Sequence, residues 1–147
     1  MAWLGLFDDQ LVRQSARLKR YEQAVQRLKE QECLYPCWET ETELEAKLRL
    51  AAARGKPPIY DRSSLRLTQT ERQERLDQGH LPHWRFFLNS ETVAWADAVR
   101  GSVSFSATHL SDPILVRADG TYVYTLASVV DDLELGVTHI LRGTSPI

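Results

Sequence analysis

At 147 residues, with 43% apolar and 26% charged side chains, the chain has the length and balance of one globular domain with a single core. A formal net charge of −2 gives no whole-domain basic field, so only a local patch could meet phosphate, and two cysteines are too few for a disulfide framework. No apolar run approaches the roughly 20 residues that cross a bilayer, and Met1–Leu6 is too short and too poor in basic residues for a signal peptide. We therefore expect a cytoplasmic protein with no membrane partner.

In chain order, Leu11, Leu18, Tyr21, Val25 and Leu28 recur at helical spacing and predict a helix over 11–32. Arg13, Arg17, Arg20, Arg27 and Lys29 share its opposite side with glutamates, the pattern of a solvated face. Leu34–Trp38 is short and apolar, and Pro36, which has no N–H to donate, assigns it to a sheet edge or a strand start. Thr40 or Thr42 caps a second helix that Gly55 ends, with Glu43 or Glu45 completing a capping box. Lys56-Pro57-Pro58 is a stiff linker. Thr68 and Glu71 form another capping box, opening a helix that runs to Gly79. His83–Leu88 has strand composition, and Thr92–Ala107 reads as two short strands around Arg100-Gly101.

The last third is the most patterned. Ile114–Val116 predicts a buried strand, Asp119-Gly120 a tight turn, and Leu126, Ala127, Val129 and Val130 a helix that Gly136 stops. Thr138–Leu141 would return as a second strand. A strand–helix–strand unit favours a parallel sheet, with ligands at the carboxyl ends of the strands.

The string from Ala118 to Gly143, ADGTYVYTLASVVDDLELGVTHILRG, resembles the segment of glutamyl-tRNA synthetases that closes the amino-acid pocket. Trp3-Leu4-Gly5-Leu6 and Gln14-Ser15-Ala16-Arg17 resemble further family strings, so the likeness runs from Trp3 to Gly143. It implies an α/β (mixed α+β) chain: a partial nucleotide-binding fold carrying a small mixed-sheet insertion with flanking helices. Residues 1–112 would be the acceptor-stem insertion with its leading helix, and 113–147 a piece of the catalytic domain.

The same resemblance implies a function: attachment of glutamate to tRNA(Glu) with ATP and Mg2+. This portion would contact the tRNA acceptor stem and supply part of the glutamate pocket. Tyr124, Ser128 and Arg142 match pocket positions of the family; an Arg guanidinium suits a carboxylate because it donates two parallel hydrogen bonds. Arg13, Arg17, Arg20 and Arg85 are the candidates for RNA phosphates, with no role for DNA. The family's HIGH and KMSKS segments are not in this sequence, so neither ATP binding nor aminoacylation is expected of the chain by itself, and it reads as a fragment or truncated paralogue. Two other readings stand beside this one: a non-catalytic tRNA-binding or regulatory module, and a fragment similar to the glutamyl-queuosine tRNA synthetases.

Other chemistry is weakly signalled. Some family members carry a zinc knob near Cys37, but position 39 is Glu, and Ser63-Ser64 follow the Tyr60-Asp61 turn, so no zinc is expected. Asp131 and Asp132 are adjacent, hence about 100° apart around a helix, and do not make a catalytic pair. No glycine-rich phosphate loop is present.

Overall fold

The computed structural model describes Gly5 and residues 10–141. After a 3-10 turn at Gln14–Ala16, helix α1 spans Leu18–Glu30, strand β1 Leu34–Cys37 and helix α2 Glu41–Ala53. Helix α3 (Gln69–Asp77), strands β2 (His83–Phe86), β3 (Thr92–Asp97), β4 (Gly101–Ser106) and β5 (Ile114–Val116), and helix α4 (Tyr124–Glu134) follow. Both capping boxes form: the Thr40 and Thr68 side chains accept from the Glu43 and Glu71 backbone N–H groups, and each glutamate reaches back to its threonine.

A three-stranded sheet in the order β1-β2-β5 holds the fold together, and both of its pairings are antiparallel. Pro36 lies on the edge strand β1, where its missing N–H breaks no inner ladder. The strand period of two sends alternate residues to opposite faces. Leu34 of β1, with Trp84 and Phe86 of β2, turns to a core built with Tyr21 and Val25 of α1, Leu115 and Val116 of β5, and Leu126 and Ala127 of α4. Tyr35 and Cys37 turn the other way, onto Tyr60 and Phe87.

That second face is organised by polar groups. The Asp112 carboxylate is only 1% exposed. It accepts from Arg62 Nε and Nη2, both at 2.8 Å, from the Tyr35 hydroxyl at 2.6 Å and from the Leu88 N–H at 3.0 Å. Arg62 sits at φ 55°, a left-handed conformation that costs a non-glycine residue about 1–2 kcal/mol. Its fork on Asp112, a bond to the Leu88 carbonyl and stacking on Phe87 hold it there. Next to it, Glu39 accepts from Cys37, Ser63, Ser64, Tyr60 and Lys47, which clamps the 59–66 segment to the end of β1.

Three features differ from the sequence reading. The long helix begins at Leu18 rather than Leu11: a separate 3-10 turn at Gln14–Ala16 precedes it, and Arg17, outside helical geometry at φ −110°, ψ 9°, divides the two. Thr138–Leu141 forms no strand among the described residues: Ile140 and Leu141 are exposed, and no neighbouring strand supplies a ladder. The expected parallel crossover is accordingly not formed. β5 instead pairs antiparallel with β2 and is bridged by Tyr122 after the turn, so parts of 1–112 and 113–147 share one sheet and one core. Among the described residues, strands β3 and β4 pair only with each other, as a hairpin.

Candidate functional site

α4 has two apolar sides, and they meet different surroundings. Leu126 and Ala127 are buried in the core, while Val129 and Leu133 are exposed. The helix is locked to α1 through Asp131, which is 8% exposed. Its carboxylate accepts from Arg17 Nε at 2.6 Å, from the Tyr21 hydroxyl at 2.9 and 3.0 Å, and from Gln14 Nε2 at 3.2 Å. Burial opposes the charge on Asp131, but the bonds from Arg17, Tyr21 and Gln14 outweigh it and hold the pKa below the ordinary aspartate value. Arg17 also pairs with Glu134.

The outward side of α4 carries a hollow of about 240 Å3, lined by Tyr124, Thr125, Ser128, Val129, Asp132 and Ile140. Tyr124 and Ser128 lie one turn apart and therefore share it. Tyr124 is 66% exposed and is not packed into the core. Arg142, the third pocket position implied by the resemblance, lies outside the described residues. The sequence reading treated Asp132 only as one half of an adjacent pair that is not catalytic. The structure puts it on the wall of this hollow, one turn after Ser128, a position that the i, i+4 spacing could have signalled. The hollow is thus lined by three hydroxyl side chains, those of Tyr124, Thr125 and Ser128, one carboxylate and an apolar lip.

The four candidate phosphate contacts are not equivalent. Arg13 and Arg20 are exposed, Arg20 with only a long 3.9 Å approach to Glu134. Arg17 is engaged by Asp131 and Glu134. Arg85, expected to face RNA, is 5% exposed. It donates from Nη1 to the Asp112 carbonyl at 2.6 Å and from Nε to His83 Nε2 at 3.3 Å, and it stacks on Tyr60. Strand β2 turns it inward on the Tyr35 face of the sheet, so Arg85 has no phosphate-facing surface. Burial and the neighbouring Arg85 push the His83 pKa down, matching a neutral ring that accepts this bond.

Near Cys37, no group of three or more His, Cys, Asp or Glu side chains is arranged to hold a metal among the described residues. Cys37, fully buried, donates to Glu39 at 2.8 Å and lies 3.3 Å from the Tyr60 hydroxyl. Burial penalises the Glu39 charge, but donors from Cys37, Ser63 and Ser64 override it and hold its pKa far below the ordinary carboxylate range.

A family model described as the catalytic domain of class I tRNA synthetases (E and Q) matches residues 1–145. The glutamate–tRNA ligase 2 of Methylobacterium radiotolerans is 52% identical over 143 residues, which make up 97% of this chain and 32% of that protein. The glutamate–tRNA ligase 1 of Maricaulis maris is 50% identical over 143 residues, with the same 97% and 32% shares. The crystal structure of a glutamate tRNA ligase from Elizabethkingia meningosepticum, in complex with its amino acid, superposes with a TM-score of 0.82 at 26% identity over 97% of this chain and 32% of that one. The chain therefore spans about a third of the length of the relatives it matches.

Proposed function

Because the chain belongs to the class I tRNA synthetases for glutamate and glutamine, we propose that it is the amino-acid-pocket and acceptor-end portion of a glutamate–tRNA ligase. Joined to the ATP-binding portions of such an enzyme, it takes part in attaching glutamate to tRNA(Glu). The observation that carries this reading is the hollow on α4, where Tyr124 and Ser128 sit side by side, within a chain about half identical to glutamate–tRNA ligases.

In this proposal the pocket divides its work by charge. Asp132 suits the α-ammonium group of an amino acid, and the Tyr124 and Ser128 hydroxyls orient it. The side-chain carboxylate of glutamate would be repelled by Asp132 and needs a cation, the role assigned to Arg142. Arg13 and Arg20 are retained as contacts to tRNA phosphates on the α1 side, whereas Arg17 and Arg85 position other groups: Arg17 ties α1 to α4, and Arg85 braces the second face of the sheet.

The test is a chimera in which this chain replaces the matching third of the Methylobacterium radiotolerans ligase. We expect it to charge tRNA(Glu), with Tyr124→Phe and Arg142→Met lowering kcat/KM for glutamate by about tenfold or more, as lost charge-assisted hydrogen bonds do. A chimera that folds yet shows no glutamate-dependent charging refutes the proposal. The 147-residue chain alone should give no glutamate-dependent ATP–pyrophosphate exchange.

The exposed Arg13 and Arg20 support a second reading, a tRNA-binding module without catalysis. It predicts affinity of the isolated chain for tRNA that falls as salt rises, by about 0.7–0.9 log units per log unit of salt for each phosphate contact. A flat salt response speaks against it.

A further inference from the structure

A side chain outside the α4 hollow sets how that helix is turned about its own axis. Leu126 and Ala127 anchor the first half of α4 in the core, with Val130 packed against it. Val129, Leu133 and Leu135 are exposed, and among the described residues Asp131 is the buried one in the second half. It lies on the border between the core face and the hollow. Ser128 is three positions before it and Asp132 one after, about 60° and 100° around the axis. The start of α4 adds no restraint by capping, since Val123 at the N-cap makes no side-chain bond.

The side-chain donors to Asp131 come from one neighbouring segment. Gln14, Arg17 and Tyr21, from the 3-10 turn and α1, donate to its two carboxylate oxygens. Tyr21 is 2% exposed and packed edge-on against Tyr122, so its hydroxyl is offered from a fixed position. The Arg17 guanidinium bonds by Nε to Asp131 and by Nη2 to Glu134. One planar group thus spans two carboxylates three residues apart on α4, an attachment at two points that resists rotation as well as sliding.

We propose that Asp131 is a positioning residue for the amino-acid pocket: through Arg17 and Tyr21 it fixes the rotation of α4 that turns Tyr124, Ser128 and Asp132 toward one substrate. Asp131 itself touches no substrate. A side-chain oxygen on a helix lies roughly 6 Å from the axis, so a turn of about 10° displaces it by about 1 Å. A displacement of that size costs a positioned reactant up to about a hundredfold in rate. Apolar contacts around Leu126 have no preferred direction, whereas hydrogen bonds weaken as their angles close, so the polar lock supplies the angular precision. The substrate named here rests on the ligase reading; the geometry of the lock does not.

The experiment uses the chimera with the Methylobacterium radiotolerans ligase. Asp131→Asn, Arg17→Met, Arg17→Lys and Tyr21→Phe are made in it. Tyr35→Phe, which removes a buried hydroxyl bond on the other face of the sheet, is the control. KM is measured separately for glutamate and for ATP, beside the urea midpoint of each variant. We expect Asp131→Asn and Arg17→Met to raise KM for glutamate about tenfold while KM for ATP stays within about twofold. Tyr21→Phe keeps its ring in the core and should raise it about threefold; it decides the matter if Asp131→Asn does not fold. Arg17→Lys, which restores a cation, should lie nearer the parent than Arg17→Met. Tyr35→Phe should lower the urea midpoint and leave KM for glutamate unchanged. If KM for glutamate follows the urea midpoint across all five variants, Tyr35→Phe included, Asp131 only holds the fold together and the proposal is overturned. Unchanged KM for glutamate in Tyr21→Phe and Arg17→Met, in a parent chimera that charges tRNA(Glu), removes this inference alone. A parent chimera that folds without charging removes the ligase reading and this inference with it.

Discussion

Replacing Asp112 by Asn tests the claim that the second face of the sheet is organised by one buried carboxylate. Asn keeps the volume but loses the charge, and it would turn an amide N–H2 toward donors where a second acceptor oxygen stood. Four donor atoms are then left to one carbonyl oxygen: two on Arg62, one on Tyr35 and one on Leu88. Removing one member of a buried ion pair costs about 3–5 kcal/mol. The Arg62 side chain is 33% exposed and recovers some hydration, which places the loss at the low end, about 3 kcal/mol. With a urea m-value of about 2 kcal/mol/M, the unfolding midpoint should fall by about 1.5 M at unchanged slope. Tyr35→Phe alone should cost about 1 kcal/mol, and less when made on top of Asp112→Asn, since its acceptor has already changed. A loss below about 1 kcal/mol for Asp112→Asn, or strict additivity with Tyr35→Phe, would show that Asp112 is not the organising group.

Other outcomes follow from the same contacts. The folded pKa of Glu39 lies below its ordinary 4.5, so the unfolded chain takes up the proton first as pH falls, and stability should decline from about pH 4.5 downward. Glu39→Gln should flatten that acid limb in urea midpoints measured between pH 6 and 3, while lowering stability at neutral pH. His83 has a folded pKa below its ordinary 6.5, so an earlier, shallower decline should begin near pH 6.5 and disappear in His83→Gln. Cys37 is fully buried and Cys33 is not, so a thiol reagent should modify one cysteine in the native chain and both in urea; rapid reaction of both native thiols would contradict the packing around Tyr60. Leu133→Glu on the outer side of α4 should change the stability of this chain by no more than about 0.5 kcal/mol and reduce its binding of a hydrophobic dye; a large loss would mean that Leu133 is covered.

Local signals in the sequence carried much of the fold. Thr40 with Glu43, and Thr68 with Glu71, marked two helix starts because a capping box is complete within one turn of chain. Pro36 marked the edge strand because it lacks a donor. Strand partners were less legible. Ile114–Val116 has the same composition whether its neighbour is parallel or antiparallel, and the choice of β2 depends on contacts nearly thirty residues upstream. The Asp112 cluster left no trace in spacing, since Tyr35, Arg62 and Leu88 are remote in sequence and each looks ordinary alone. The burial of Arg85 was illegible for the same reason: an arginine in a short strand reads as surface until the opposite face of the sheet proves to be polar and closed. The α4 hollow stood between these cases. Tyr124 and Ser128 are paired by helical spacing, while Ile140 joins them only after the chain has turned at Gly136.

The β3–β4 hairpin has a practical consequence. Among the described residues its six paired positions hydrogen-bond to no third strand, and the reversal at its tip is closed by the Asp97 side chain accepting from the Val99 and Arg100 N–H groups. A two-stranded ribbon of this kind opens at little free-energy cost, so its amides should exchange with solvent long before those of β2 do. Residues 98–100 are therefore a place to splice a fluorophore or an affinity handle into this protein, since a disturbance there ends at the base of the ribbon.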